Sequence, residues 1–147
     1  MLLCCLAACS GAIIREVRGS RLASTDGSWE GMPLSDVMPQ LTELNAAWVA
    51  GQTDVAVGGD GETPDALLKR AQAALWRDGL MGSMPAGRHL VAVAHSTFNQ
   101  AVLADATGLG LRRLGDVKQA NCCVNVLDYH VESGSVHVVA TNIKLPE

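Results

Sequence analysis

Aromatic residues are scarce: three Trp, one Tyr and one Phe make up 3% of the 147 residues. Stacking platforms for bases are excluded on that count, and the core has to be built from Ala, Val and Leu. Basic charge is short as well, with 11 Lys plus Arg against 15 Asp plus Glu and a formal charge of −4. Neutralising a phosphate backbone takes a basic excess or stripe, and no Lys/Arg run exceeds a pair such as Arg112-Arg113, so no nucleic-acid partner is expected. No long apolar run is present either. Residues 1–14 carry no charged side chain before Arg15, yet as a helix they would span about 21 Å against a hydrocarbon core about 30 Å thick, so no membrane span is expected. A nucleophile elbow, a His-Glu-x-x-His string and a phosphate-loop lysine are all missing, which removes serine hydrolase, zincin and nucleoside-triphosphatase chemistry. The five cysteines (Cys4, Cys5, Cys9, Cys122, Cys123) form no Cys-x-x-Cys pair and lack the density of a secreted scaffold. Buried thiols in a reducing intracellular compartment follow.

What is present is a chain that is 48% apolar, enough for one sizeable core, with no repeat or low-complexity tract. Residues 1–147 are therefore taken as a single domain. Residues 1–14 are expected to form a buried helix, with Arg15, Glu16 and Arg18 in its last turn and Gly19 as its stop. Leu6-Ala7-Ala8-Cys9 is the competing feature, a lipoprotein-like cleavage box without a basic residue ahead of it. Residues 20–34 are a loop ending in Gly27-Ser28-Trp29-Glu30-Gly31. Two helical stretches follow, one opened by Ser35 and Asp36 and one carrying Leu41, Leu44 and Trp48 before Gly51. Thr63-Pro64 has the form of an N-cap and first helical residue, and Leu67, Leu68, Ala71 and Leu75 make the apolar face of a helix running to about Asp78.

His89-Leu90-Val91-Ala92-Val93-Ala94 is a short continuous apolar run, the pattern of a strand covered on both faces in a parallel sheet. It ends at His95. Ser96 is expected to cap the next helix, with Asn99 at its third position. His95 thus stands at the carboxyl edge of a strand and beside a helix start, where free backbone amides attract anions. The tail alternates as a hairpin: Cys123, Asn125, Leu127, Tyr129 and Val131 face one way, joined by Val136, Val138 and Ala140 across a Ser133-Gly134 turn. That register sets His130 opposite His137 on the other face, with Asp128 and Glu132 beside them. A solvated face is the expected role of these four, and no metal or cofactor is expected. Gly58 to Thr63 has the composition of a phosphate cradle but is expected to be a surface loop.

The string LVAVAHSTFNQAVLADATGLGLRRLGDVKQANCCVNVLDY, residues 90–129, resembles the carboxyl-terminal half of the histidine phosphatase superfamily, the group of phosphoglycerate mutases and related phosphatases. The matching features are His95, the corner Leu109-Gly110-Leu111 and Asn121. Upstream, Gly27-Ser28-Trp29-Glu30-Gly31 resembles the family's Gly-x-Trp-Glu-Gly string, and Gly61-Glu62-Thr63 its Gly-Glu-Ser element. The flavour is that of phosphoglycerate-mutase-like phosphatases of photosynthetic eukaryotes or cyanobacteria; no compartment is indicated beyond the reducing interior expected above, cytoplasm or plastid.

The resemblance implies a three-layer α/β/α fold with a mainly parallel central sheet, and phosphoryl transfer through a phosphohistidine. In that chemistry an Arg-His-Gly histidine attacks phosphorus, a second histidine and two arginines hold the phosphoryl oxygens, and an acid protonates the leaving group. His95 carries over as the second histidine, and Ser96 as a substrate-binding backbone donor. The partner implied is a phosphorylated small molecule. The chain departs from the pattern at the other positions. Arg-His-Gly occurs nowhere in it, Leu6 stands where the family's helix arginine falls, and the acid's place falls near Ala23 or Ser24. Two functions stay open: a phosphatase-family product incomplete at its amino terminus, or a protein that binds anions or a partner without turnover. The first strand of such a fold lies beside the His95 strand; its absence is expected to leave unpaired backbone there and a route to self-association.

Overall fold

In the computed structural model, residues 2–4, 26–76, 81 and 89–144 are described. They form an α/β fold around a four-stranded sheet in the order β2-β1-β3-β4, where β1 is Leu2–Cys4, β2 Val91–Val93, β3 Val124–His130 and β4 Ser135–Ile143. The helices are α1, Leu34–Val49, α2, Pro64–Leu75, and α3, Ser96–Ala106.

Two expectations change at the sheet. Residues 2–4 are a strand and not the start of a helix; the rest of that expected helix, and the helical layer it would supply, fall on residues 5–19, outside the described ones. β1 runs parallel to β2 and antiparallel to β3, with Leu3 registered on both Ala92 and Asn125. The place beside the His95 strand that was expected to be empty is therefore filled, and its backbone groups are paired on both sides. The sheet is also mixed and not mainly parallel among the described residues, because β3 and β4 both join by antiparallel pairing.

Leu90, Val91 and Ala92 are buried at consecutive positions, so the strand is covered on both faces as its unbroken apolar run predicts. One of those faces belongs to the main core. Leu90, Ala92 and Ala94 lie in a cluster with Leu44 and Trp48 of α1, Leu67, Ala71 and Leu75 of α2, Phe98 and Leu103 of α3, and Leu127 of β3.

α1 is one helix across both predicted stretches, with Pro39 inside it. The proline forfeits a single hydrogen bond toward Ser35, and burial of Val37, Leu44 and Trp48 along one face holds the helix together across it. α2 begins as read: Thr63 Oγ1 accepts from the Ala66 amide at 3.1 Å and Pro64 takes the first helical position. At its end Trp76 stacks on Tyr129, ring centroids 5.4 Å apart, tying α2 to the hairpin.

The hairpin keeps its predicted faces but not its predicted register. Asp128 pairs with His137 and His130 with Ser135, so the turn spans residues 131–134, and Gly134 at φ +67° closes it by donating to the His130 carbonyl. His130 and His137 are consequently not opposite one another. A shift of two residues preserves the facing, which is why Leu127 and Tyr129 still meet Val138 and Val136. Near the start of β3, buried Asn125 donates to Gln119 Oε1 at 2.8 Å and accepts from the Asn142 amide at 2.9 Å.

Candidate functional site

Two residues, Ala94 and His95, lie between β2 and α3 and make the turn from one to the other. His95, not Ser96, is the N-cap: its backbone is extended at φ −89° and ψ 162°, and its carbonyl accepts from Asn99 N at 3.0 Å. Its side chain makes no capping bond and is exposed. Ser96 becomes the first helical residue and is exposed too. The amides of Ser96, Thr97 and Phe98 lie in the first turn, ahead of the α-helical bonding pattern, where the helix dipole favours an anion. Ala94 and Phe98, both buried, fix this turn from either side.

A second structure faces it. The turn Gly27–Trp29 docks on the turn Val57–Gly59: Ser28 N donates to Asp60 Oδ1 at 2.7 Å, and Ser28 Oγ donates to the Gly58 carbonyl at 2.6 Å. Gly27 at φ +59° and Gly58 at φ +60° permit the approach; a Cβ on Gly58 would meet the Asp26 carbonyl at 2.5 Å. The Gly58 to Thr63 segment is thus half of a clasp. Beyond it Glu62 receives both Arg70 Nε at 2.8 Å and Arg70 Nη2 at 2.7 Å. That two-pronged carboxylate holds the Arg70 proton more tightly than usual, against the opposing effect of burial.

Between clasp, α1 and α3 lies a cavity of about 280 Å³, whose polar lining is Asp26, Asn45, Thr97 and Gln100 and whose apolar lining includes Leu41 and Trp48. His95 is not in its lining, but Thr97 follows it by two residues on the same helix. Asp26 is an acidic residue of this lining that the sequence reading did not single out. Counting back from Trp29 led to Ala23 and Ser24, which lie outside the described residues. Its signal was its position directly ahead of Gly27. A further cavity of about 350 Å³ lies at the other end of α3, around Leu103, Thr107 and Lys118.

The remaining sequence candidates are not brought to this place. Among the described residues no group of three or more His, Cys, Asp and Glu is arranged to hold a metal. Asn121 sits in an exposed turn before β3, and the Leu109-Gly110-Leu111 corner turns at Gly110, φ +79°, into the 3-10 segment Leu111–Asp116. Cys122 and Cys123 precede β3 and do not lie within it; Cys122 is exposed and Cys123 buried. Burial pushes the Cys123 thiol up, with backbone hydrogen bonding at Ala120 opposing it. The raised value favours the folded state fully below the ordinary thiol range, and this contribution is lost as pH rises through the higher folded value. Cys122→Ser is expected to remove one fast-reacting thiol in a dithionitrobenzoate assay of the native chain. Cys123→Ser should remove none until denaturant is added, and a fast loss from Cys123→Ser would contradict the burial.

Residues 24–142 match the profile of the histidine phosphatase superfamily (branch 1). The chain is 30% identical over 108 residues, 73% of its length and 21% of the relative's, to 2-carboxy-D-arabinitol-1-phosphatase of Triticum aestivum. It is 43% identical over 53 residues, 35% of its length and 11% of the relative's, to a probable 2-carboxy-D-arabinitol-1-phosphatase of Arabidopsis thaliana. It therefore spans about a fifth or less of these curated relatives. Among solved structures, a mycobacterial glucosyl-3-phosphoglycerate phosphatase superposes with a TM-score of 0.67 at 22% identity, covering 86% of this chain and 65% of that one. Alpha-ribazole phosphatase from Shigella flexneri does so at 0.58 and 16% identity, covering 84% and 60%. At these identities the likeness is one of fold.

Proposed function

The chain belongs to the histidine phosphatase superfamily, and from that membership we propose that it binds the phosphoryl group of a small phosphomonoester at the head of α3, without turning the ester over as residues 1–147 alone. The observation that carries this reading is the exposed His95 imidazole at the carboxyl edge of β2, adjoining the first-turn amide of Ser96. Imidazole and amide both present N–H donors to phosphate oxygens, and the helix dipole adds a fixed positive end. The two matched phosphatases from plants and the structural relatives named above support a phosphomonoester as the ligand class.

Turnover asks for more than binding. Phosphoryl transfer needs a nucleophile in line with the leaving oxygen, positive charge on the equatorial oxygens and an acid for the departing group. Arg-His-Gly is not in the sequence, and groups that act as one catalytic unit fail almost completely when one is lost. His95 and Ser96 by themselves hold an oxyanion and leave the ester bond intact.

Titration of residues 1–147 with inorganic phosphate, followed by calorimetry, tests the reading. Binding should weaken roughly tenfold or more in His95→Ala, the loss of one hydrogen bond to a charged group. p-Nitrophenyl phosphate should not be hydrolysed above background. Unchanged affinity in His95→Ala would remove the site, and robust hydrolysis abolished by that substitution would overturn the absence of turnover.

A further inference from the structure

We infer that the cavity of about 280 Å³ beside α3 receives the organic part of the ester, and that Asp26 makes it select an uncharged polyol over a carboxylate. The inference rests on the reading that the phosphoryl group sits at His95. Thr97 lines the cavity and lies in the first turn of α3, two residues after His95, so an ester held across this turn would place its phosphoryl group at His95 and its organic part in the cavity.

The lining favours ligand groups that donate hydrogen bonds. Asp26 supplies two carboxylate oxygens. Gln100, also in the lining, has its amide nitrogen committed to the Val117 carbonyl at 2.9 Å, so what it has left to offer a ligand is its carbonyl oxygen, an acceptor. Asn45 and Thr97 accept or donate as needed. Trp48 has its indole N–H committed to the Val55 carbonyl at 3.0 Å, so with Leu41 it offers hydrocarbon surface and no donor. Hydroxyls of a sugar or polyol match such acceptors, and the C–H face of the same molecule matches the apolar side. A ligand carboxylate matches neither: it needs donors, and it would bring a second negative charge toward Asp26, the one charged residue of the lining among the described residues. The volume is at the small end of ligand sites, roughly 300–1,000 Å³, which suits a single sugar unit.

The test is calorimetric titration of residues 1–147 with inorganic phosphate, ribose 5-phosphate, 3-phosphoglycerate and O-phosphoethanolamine. Ribose 5-phosphate is expected to bind more tightly than inorganic phosphate, and roughly threefold to tenfold more tightly than 3-phosphoglycerate, a modest factor because Asp26 is exposed and screened. Asp26→Asn keeps the shape and removes the charge, so it should tighten 3-phosphoglycerate and close that gap while inorganic phosphate stays unchanged. Equal binding of the two esters, a gap untouched by Asp26→Asn, or tightest binding of the amine ester would overturn the inference while leaving phosphate at His95 in place. No binding of inorganic phosphate would overturn both.

Discussion

Phe98→Ala is expected to lower the unfolding free energy by about 3–5 kcal/mol, a loss of roughly 10 °C in melting temperature for a chain of this size. Phe98 is the sole phenylalanine of the sequence and, among the described residues, the largest side chain with no exposure. It lies in one cluster with Leu75, Leu90, Leu103 and Leu127, so its removal opens a space bounded by α2, β2, α3 and β3 at once. Such a space collapses poorly because its walls belong to several elements, and the cost falls at the upper end of the usual range for large-to-small changes. The consequence reaches function through position. Phe98 is the third residue of α3 and points inward while His95 and Ser96 are exposed, so it seats the turn that carries the proposed anion site. Calorimetry should show the drop in stability, and phosphate titration well below the new midpoint should show weaker binding in the folded fraction. A loss under about 1 kcal/mol would mean that this turn is held by something other than the core.

The parts legible in the sequence were those fixed by local chemistry. Thr63 and Pro64 start α2 because a hydroxyl acceptor and a ring without an N–H suit that place and no other in the helix. The His89 to Ala94 run marked a strand covered on both faces, and burial of Leu90, Val91 and Ala92 agrees. The superfamily was legible from ordered motifs that the profile match spans. What the sequence hid was decided by distant partners. A short apolar stretch such as Leu2–Cys4 serves equally as helix or strand, and only pairing with residues 91–93 and 124–126 settles it. Gly134 marked the hairpin turn without giving its length, so the cross-strand neighbours of His130 and His137 were misplaced by two residues. The two helical stretches read around Ser35 and Leu41 are one helix, because burial of Val37, Leu44 and Trp48 along one face carries it across Pro39. Asp26 is the instructive case for the site. Motif spacing pointed to Ala23 and Ser24, outside the described residues, while Asp26 lines the cavity beside a turn that a bond from Ser28 to Asp60, 32 residues away, docks in place.

That bond is why Gly27→Ala should be nearly as costly, about 3–4 kcal/mol, from a single added methyl. Gly27 has φ +59°, a region where a residue with a Cβ loses about 1–2 kcal/mol. The new Cβ would also collide with Asp60 Oδ1 and with the Gly61 amide nitrogen. Asp60 could rotate away, but the Gly61 backbone cannot, since Gly61 N is bonded to the Val57 carbonyl at 2.7 Å. The clasp must therefore open, and opening it breaks both Ser28 bonds, each contributing about 1 kcal/mol. Gly31 supplies the control. It too has positive φ, +80°, but nothing lies within 4 Å of its Cβ position, so Gly31→Ala should cost the backbone strain alone, about 1–2 kcal/mol. Urea unfolding of the two variants side by side isolates the collision from the strain, and hydrogen exchange at the Ser28 amide reports whether the clasp has opened. Because Asp26 adjoins Gly27, an opened clasp also unseats the cavity rim, so Gly27→Ala should lose discrimination between sugar and carboxylate esters while keeping inorganic phosphate at His95. Equal costs for Gly27→Ala and Gly31→Ala, with the Ser28 amide still protected, would show that the two turns are neighbours without being locked.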